Sequence, residues 1–73
     1  MRVKIRMDTK TAATDIANIA NKFPKERIIL TDGNSYIINA RSVLGNLYAQ
    51  ADFDNIWLET EKDHYFDFKD FII

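Results

Sequence analysis

The sequence predicts an α+β domain of order βαββαβα, an open-faced sandwich whose four-stranded, mainly antiparallel sheet carries its helices on one face. Three observations point there. Charged and apolar residues alternate strictly from Arg2 to Asp8, apolar residues recur at three- and four-residue spacing from Ala13 to Phe23, and two β-rich segments flank Asp32-Gly33-Asn34. Alternation places successive side chains on opposite faces of a strand, whereas the longer spacing stacks them on one stripe of a helix.

In chain order, Val3, Ile5 and Met7 form the inner face of the first strand, with Arg2, Lys4 and Arg6 outside. Thr9 or Thr11 can cap the helix that follows. Its inner stripe is Ala13, Ile16, Ala17, Ala20 and Phe23, and Pro24 ends it. The alanines allow a close approach to the sheet. Arg27 to Thr31 and Ser35 to Asn39 form a hairpin, because an Asp-Gly-Asn turn needs backbone angles that glycine and asparagine tolerate. Ser42 then caps a short second helix running to about Gln50, which Gly45 weakens by roughly 1 kcal/mol relative to alanine. Asn55 to Glu61 alternates as the last strand, with Ile56, Leu58 and Thr60 on one face and Trp57, Glu59 and Glu61 on the other. Asp63 can cap a final helix with Tyr65, Phe68 and Ile72 on one side, although Phe66, Phe68 and Asp70 also alternate as in a strand. The expected core is Ile5, Ile16, Ala20, Phe23, Ile28 or Ile29, Ile37 or Ile38, Leu47, Ile56, Leu58 and Phe68.

At 73 residues, positions 1–73 form a single domain near the lower size limit for an adequate core. The hydrophobic share of 47% is that of a globular chain and argues against disorder. With no cysteine there is neither a disulfide framework nor a thiolate metal site, which suits a reducing cytoplasm. No apolar run approaches the ~20 residues of a membrane span, and the charged start is unlike a signal peptide. Ten basic and eleven acidic side chains give a net charge of −1, which disfavours nucleic acid as a partner. The charges are nevertheless uneven. Arg2, Lys4, Arg6 and Lys10 make the first strand basic, and Asp52, Asp54, Glu59, Glu61, Asp63, Asp67 and Asp70 make the last third acidic. These are two solvated faces that pair across the fold, or a basic surface awaiting an acidic partner.

Two local segments go further. Ala20-Asn21-Lys22-Phe23 at the first helix end, and Ala40-Arg41-Ser42-Val43-Leu44-Gly45 at the second helix start, resemble segments of the phosphocarrier protein HPr family. The first matches an alanine, small polar, lysine, phenylalanine ending, and the second a basic-Ser-aliphatic-aliphatic-Gly opening. The gap between them also fits, and the resemblance covers nearly the whole chain. It implies the HPr-like fold and a link to the bacterial sugar phosphotransferase system. Aligned on Phe23, however, Thr9 stands where that family carries its phosphoryl-accepting histidine, Thr11 where it carries an arginine, and Ala12 where a proline follows. The glycine-rich turn after the family's second helix is replaced by Ala51-Asp52-Phe53-Asp54. A threonine hydroxyl is a poor nucleophile at neutral pH and its phosphate ester a poor donor, so histidine phosphotransfer is not expected. No catalytic residue, cofactor or metal is assigned.

What the resemblance implies instead is an interaction or regulatory module whose partner is a protein, such as a phosphotransferase-system enzyme, kinase or regulator. Ser42 matches a serine that some family members use for regulatory phosphorylation, where phosphate would meet the positive end of the helix dipole beside Arg41; capping alone also accounts for a serine there. Val43, Leu44, Leu47 and Tyr48 form either the partner surface that the family uses or part of the core. Trp57 either marks a second exposed surface or folds over neighbouring strand side chains. His64 is expected to face solvent, and the acidic residues from Asp52 to Asp63 have no calcium-loop spacing. Two other functions compete: a phosphocarrier using Thr9, Thr11 or Ser42, and an oligomeric or nucleic-acid-binding domain using the basic first strand. The oligomeric state is open.

Overall fold

A computed structural model describes all residues from Met1 to Ile73. Its elements are β1 (Arg2–Ile5), α1 (Ala12–Ala20), β2 (Ile28–Thr31), β3 (Ile37–Asn39), α2 (Val43–Asp52), β4 (Ile56–Thr60) and α3 (Tyr65–Phe68), followed by a 3₁₀ turn over Lys69–Phe71. The sheet order is β1-β4-β2-β3 and every neighbouring pair is antiparallel. This is the expected βαββαβα order and α+β class. No helix is long and apolar enough to cross a membrane.

Register explains which face is inner. Val3 pairs with Leu58, Leu58 with Leu30, and Leu30 with Ile38, so these four share one face. Ile5, Ile28 and Ile56 join them in a core completed by Ile16, Ala12, Ala13, Ala20, Ala40, Ala49 and Phe68. The hairpin therefore turns Ile28 and Ile38 inward, while Ile37 is exposed on the outer face. Phe23 is half-buried against this cluster.

The capping hydroxyl expected for α1 is absent. Thr11 Oγ1 donates to Asp15 Oδ2 at 2.8 Å, and the helix has no side-chain cap. A hydroxyl whose nearest strong acceptor is an ionised carboxylate one turn on is drawn to it rather than to the backbone. The hairpin loop is also wider than predicted, since β3 starts at Ile37 and not Ser35. Asp32 Oδ1 accepts from the backbone N–H groups of Asn34 at 2.8 Å and Tyr36 at 3.1 Å. That carboxylate satisfies donors that would otherwise extend the ladder, and Gly33 takes the one positive φ, +81°.

The ambiguous C-terminal segment is both things in succession. Asp63 Oδ1 accepts from Tyr65 N at 2.9 Å, one helical turn follows, and Phe68 is fully buried. Tyr65 is exposed, contrary to the expected inner face, because four residues complete only one turn. The chain then extends, and Ile72 bridges to Ile5 while Arg6 N donates to Phe71 O at 2.7 Å and Ile73 N to Lys4 O at 3.1 Å. The tail thereby covers the outer edge of β1, leaving short β3 as the other edge.

The largest departure is α2. Leu47, expected in the core, is 46% exposed, and the helix instead buries Asn46 and Ala49. Asn46 Nδ2 donates to Ala13 O at 3.0 Å and Ala40 O at 2.8 Å, tying α2 to α1 and to the end of β3. Gly45 lies so close to the sheet that a Cβ there would sit 2.6 Å from Ile38 Cγ2. Small and amide side chains fit this narrow gap; a leucine does not.

Gly45→Ala should accordingly lower stability by about 1 kcal/mol in urea denaturation, since overpacking costs of roughly 1–3 kcal/mol exceed the helix-propensity gain of about 1 kcal/mol. A stabilised variant would show that propensity, not contact, decides this position.

Candidate functional site

The helix start that would carry phosphotransfer chemistry is chemically quiet. Thr9 and Thr11 are both exposed. The Thr9 hydroxyl has no hydrogen-bonded base, and the Thr9 carbonyl accepts from Gln50 Nε2 at 3.0 Å, which holds the β1–α1 loop against α2. Gln50 Nε2 also donates to Met7 O at 2.9 Å. Thr11 is committed to Asp15, so a carboxylate, not a cation, stands in the first turn of α1.

Ser42 opens α2 as expected, its Oγ accepting from Gly45 N at 3.0 Å. Arg41 does not turn toward it. The guanidinium instead donates to the carbonyls of Phe23 and Glu26, clasping the α1–β2 connection. A phosphate on Ser42 would meet the helix dipole without that side chain unless Arg41 abandoned both carbonyls.

The outward side of α2 is the prominent surface. Leu44 is 78% exposed, Leu47 46% and Tyr48 42%, with Val43 also exposed at the helix start. Positions 44, 47, 48 and 51 fall on one helical stripe, so α2 presents apolar residues to solvent while burying Asn46 and Ala49. An apolar stripe turned to solvent in this way is uncommon on a small domain. At its far end Tyr48, Tyr36 and Phe53 form a triangle of rings with centroids 6.0–6.3 Å apart. Burial raises the pKa of the Tyr48 hydroxyl, and the nearby Tyr36 and Asp52 add to the rise.

Trp57 belongs to no such patch. The Arg2 guanidinium lies 4.4 Å above its ring and itself pairs with Glu59 at 2.9 Å, while Gly33 packs beside the indole. The tryptophan folds over neighbouring strand side chains, and the Arg2–Glu59 contact is where the basic first strand meets the acidic last third.

His64 is corrected outright: it is 7% exposed, not solvent-facing. Nε2 lies 2.6 Å from Glu26 Oε2, Nδ1 3.0 Å from Asp67 Oδ2, and the ring sits 4.2 Å from that of Phe23. Burial alone would lower its pKa, but the hydrogen bonds and charges of Asp67 and Glu26 outweigh burial and raise it. Glu26 shifts down, burial there being overcome by His64 and by the backbone N–H of Lys62. The two carboxylates occupy opposite ring nitrogens and do not converge on a point; no cluster in the chain is arranged to hold a metal ion. Asp67 three residues after His64 and the lone Glu26 before β2 were the available signals, but their meeting requires the tertiary fold.

The chain matches no protein-family model, no curated protein and no solved structure. Fold and surface define it as a small α+β domain with an inverted amphipathic helix.

Two outcomes follow. Ser42→Ala should cost about 0.5–2 kcal/mol and Ser42→Asp should retain the cap. For His64, a raised folded-state pKa means its stabilisation is complete below the ordinary value of 6.5 and is lost as pH rises through the folded value. Glu26, lowered from 4.5, contributes above that value and loses its contribution as pH falls through its folded pKa. Thermal denaturation should thus show a plateau between these values and a fall on the alkaline side, with His64→Gln removing the alkaline fall. An unchanged alkaline limb in that variant would remove the histidine as its cause.

Proposed function

We propose that the protein is an interaction module that docks a protein partner on the outward face of α2 and does not relay phosphate through histidine. The inverted helix carries this reading, because Leu44 and Leu47 are exposed outside the core, with Tyr48 beside them packed only on the rings of Tyr36 and Phe53. The resemblance of Arg41-Ser42-Val43-Leu44-Gly45 to the partner-facing helix of HPr supports a phosphotransferase-system protein as that partner and a cytoplasmic setting. Thr9 and Thr11 in place of the histidine and arginine support regulation or recognition over catalysis. A carrier using threonine or serine gains nothing from the geometry: Thr11 donates to Asp15, and Ser42 caps its helix.

Incubation with phosphoenolpyruvate and the first enzyme of the phosphotransferase system should leave the protein unlabelled; acid-labile phosphate on it would overturn the reading. Titration of the nitrogen-15-enriched protein with that enzyme, followed by amide NMR, should perturb residues 42–51. Leu44→Asp with Leu47→Asp should abolish the perturbation while changing stability by only about 0.5 kcal/mol per site, against the roughly 2–5 kcal/mol of a buried leucine. Perturbation confined elsewhere would remove α2 as the docking face.

A further inference from the structure

One end of the α2 face opens into a cavity of about 280 Å³ between the hairpin loop, the end of α2 and the start of β4. Its walls include the three rings of Tyr36, Tyr48 and Phe53, and its rim the carboxylates of Asp32, Asp52 and Asp54. The three rings meet tilted or edge-on, and a cation over the face of any one of them within ~6 Å is attracted to it. No lysine or arginine lines the cavity, and none of the three aspartates is in an ion pair. Asp32 is held ionised by the backbone N–H groups of Asn34 and Tyr36, burial opposing them only in part.

We propose that this pocket receives a lysine or arginine side chain of the partner that docks on α2, the aromatic walls taking its alkyl stem and charged end and the aspartates its N–H donors. This rests on the docking reading above and names the partner's chemistry: an apolar stripe followed by a basic side chain. Two features favour that occupant. The carboxylates are spread around aromatic walls and do not converge as metal ligands, which suits an extended organic cation over a bare ion. Tyr48 belongs both to the apolar stripe and to the pocket wall, so one partner surface can engage both.

The test uses N-acetyl-lysine methylamide and N-acetyl-norleucine methylamide as probes in amide NMR titrations of the intact protein. The lysine probe should shift residues 32–36 and 48–55, weakly at high salt, and the norleucine probe should not. Asp52→Asn with Asp54→Asn, both exposed positions, should weaken the lysine response about fivefold while leaving the fold intact. Equal responses to both probes, a lysine response unchanged in the double variant, or no response at all would overturn the pocket. Failure of the pocket is separable from failure of the docking face. A silent pocket with residues 42–51 still perturbed by the protein partner sinks only the former. In the positive case, the Leu44→Asp and Leu47→Asp variant should keep its response to the lysine probe.

Discussion

The amide of Asn46 sets the rotation of α2, and much of the surface depends on that rotation. A buried amide whose Nδ2 donates to two carbonyls, one on α1 and one at the end of β3, has few other orientations open to it, because burying that donor unmade would cost about 1–3 kcal/mol. Gly45 lets the helix come close enough for both bonds to form. Once residues 45, 46 and 49 face inward, positions 44, 47 and 48 must face outward. The exposed apolar stripe is therefore a consequence of a polar contact in the core. Any partner surface on α2 inherits its shape from that contact.

The other end of the molecule is held by a different device. The chain leaves β4 and turns back under Phe68, and His64 joins this segment to the α1–β2 connection through Glu26. Arg41 reaches the same connection from the far side by donating to the carbonyls of Phe23 and Glu26. Glu26 is thus gripped by its side chain and by its backbone, from two elements distant in sequence. A domain of this size has no disulfide to close such a loop. The polar clasp does that work, and the tail then lies along β1 where it covers an otherwise open edge.

Strands and helices were legible because their signals are local. Alternation in Arg2–Asp8 and Asn55–Glu61 and the alanine stripe of α1 each repeat over enough residues to outweigh a single exception. The exceptions were failures of a different kind. His64 reads as a surface residue until Glu26 and Asp67 are brought to opposite sides of its ring, and Glu26 lies 38 positions away. Leu47 reads as core because a leucine on a short amphipathic helix normally is; it faces outward because the tertiary bonds of Asn46 turn residues 46 and 49 inward. The aromatic pocket was illegible for the same reason, since Tyr36 and Phe53 meet only through the turn geometry of the hairpin. Ser42, whose hydrogen-bond partner lies three residues on, caps its helix as expected, whereas Asp63 accepts from Tyr65 N from one residue before the cap position, which His64 takes.

The residues on which the sequence resembles HPr are accounted for by packing and capping within this domain. The matching residues have structural duties here. Ala20 is buried, Phe23 packs on His64, Arg41 clasps two carbonyls, Ser42 caps α2 and Gly45 admits Ile38. Thr9 and Thr11 are exposed, so their side chains take little part in the packing. Leu44 and Leu47 belong to neither group: both are exposed and lie outside the core, because Asn46 and Ala49 take the inward face of α2.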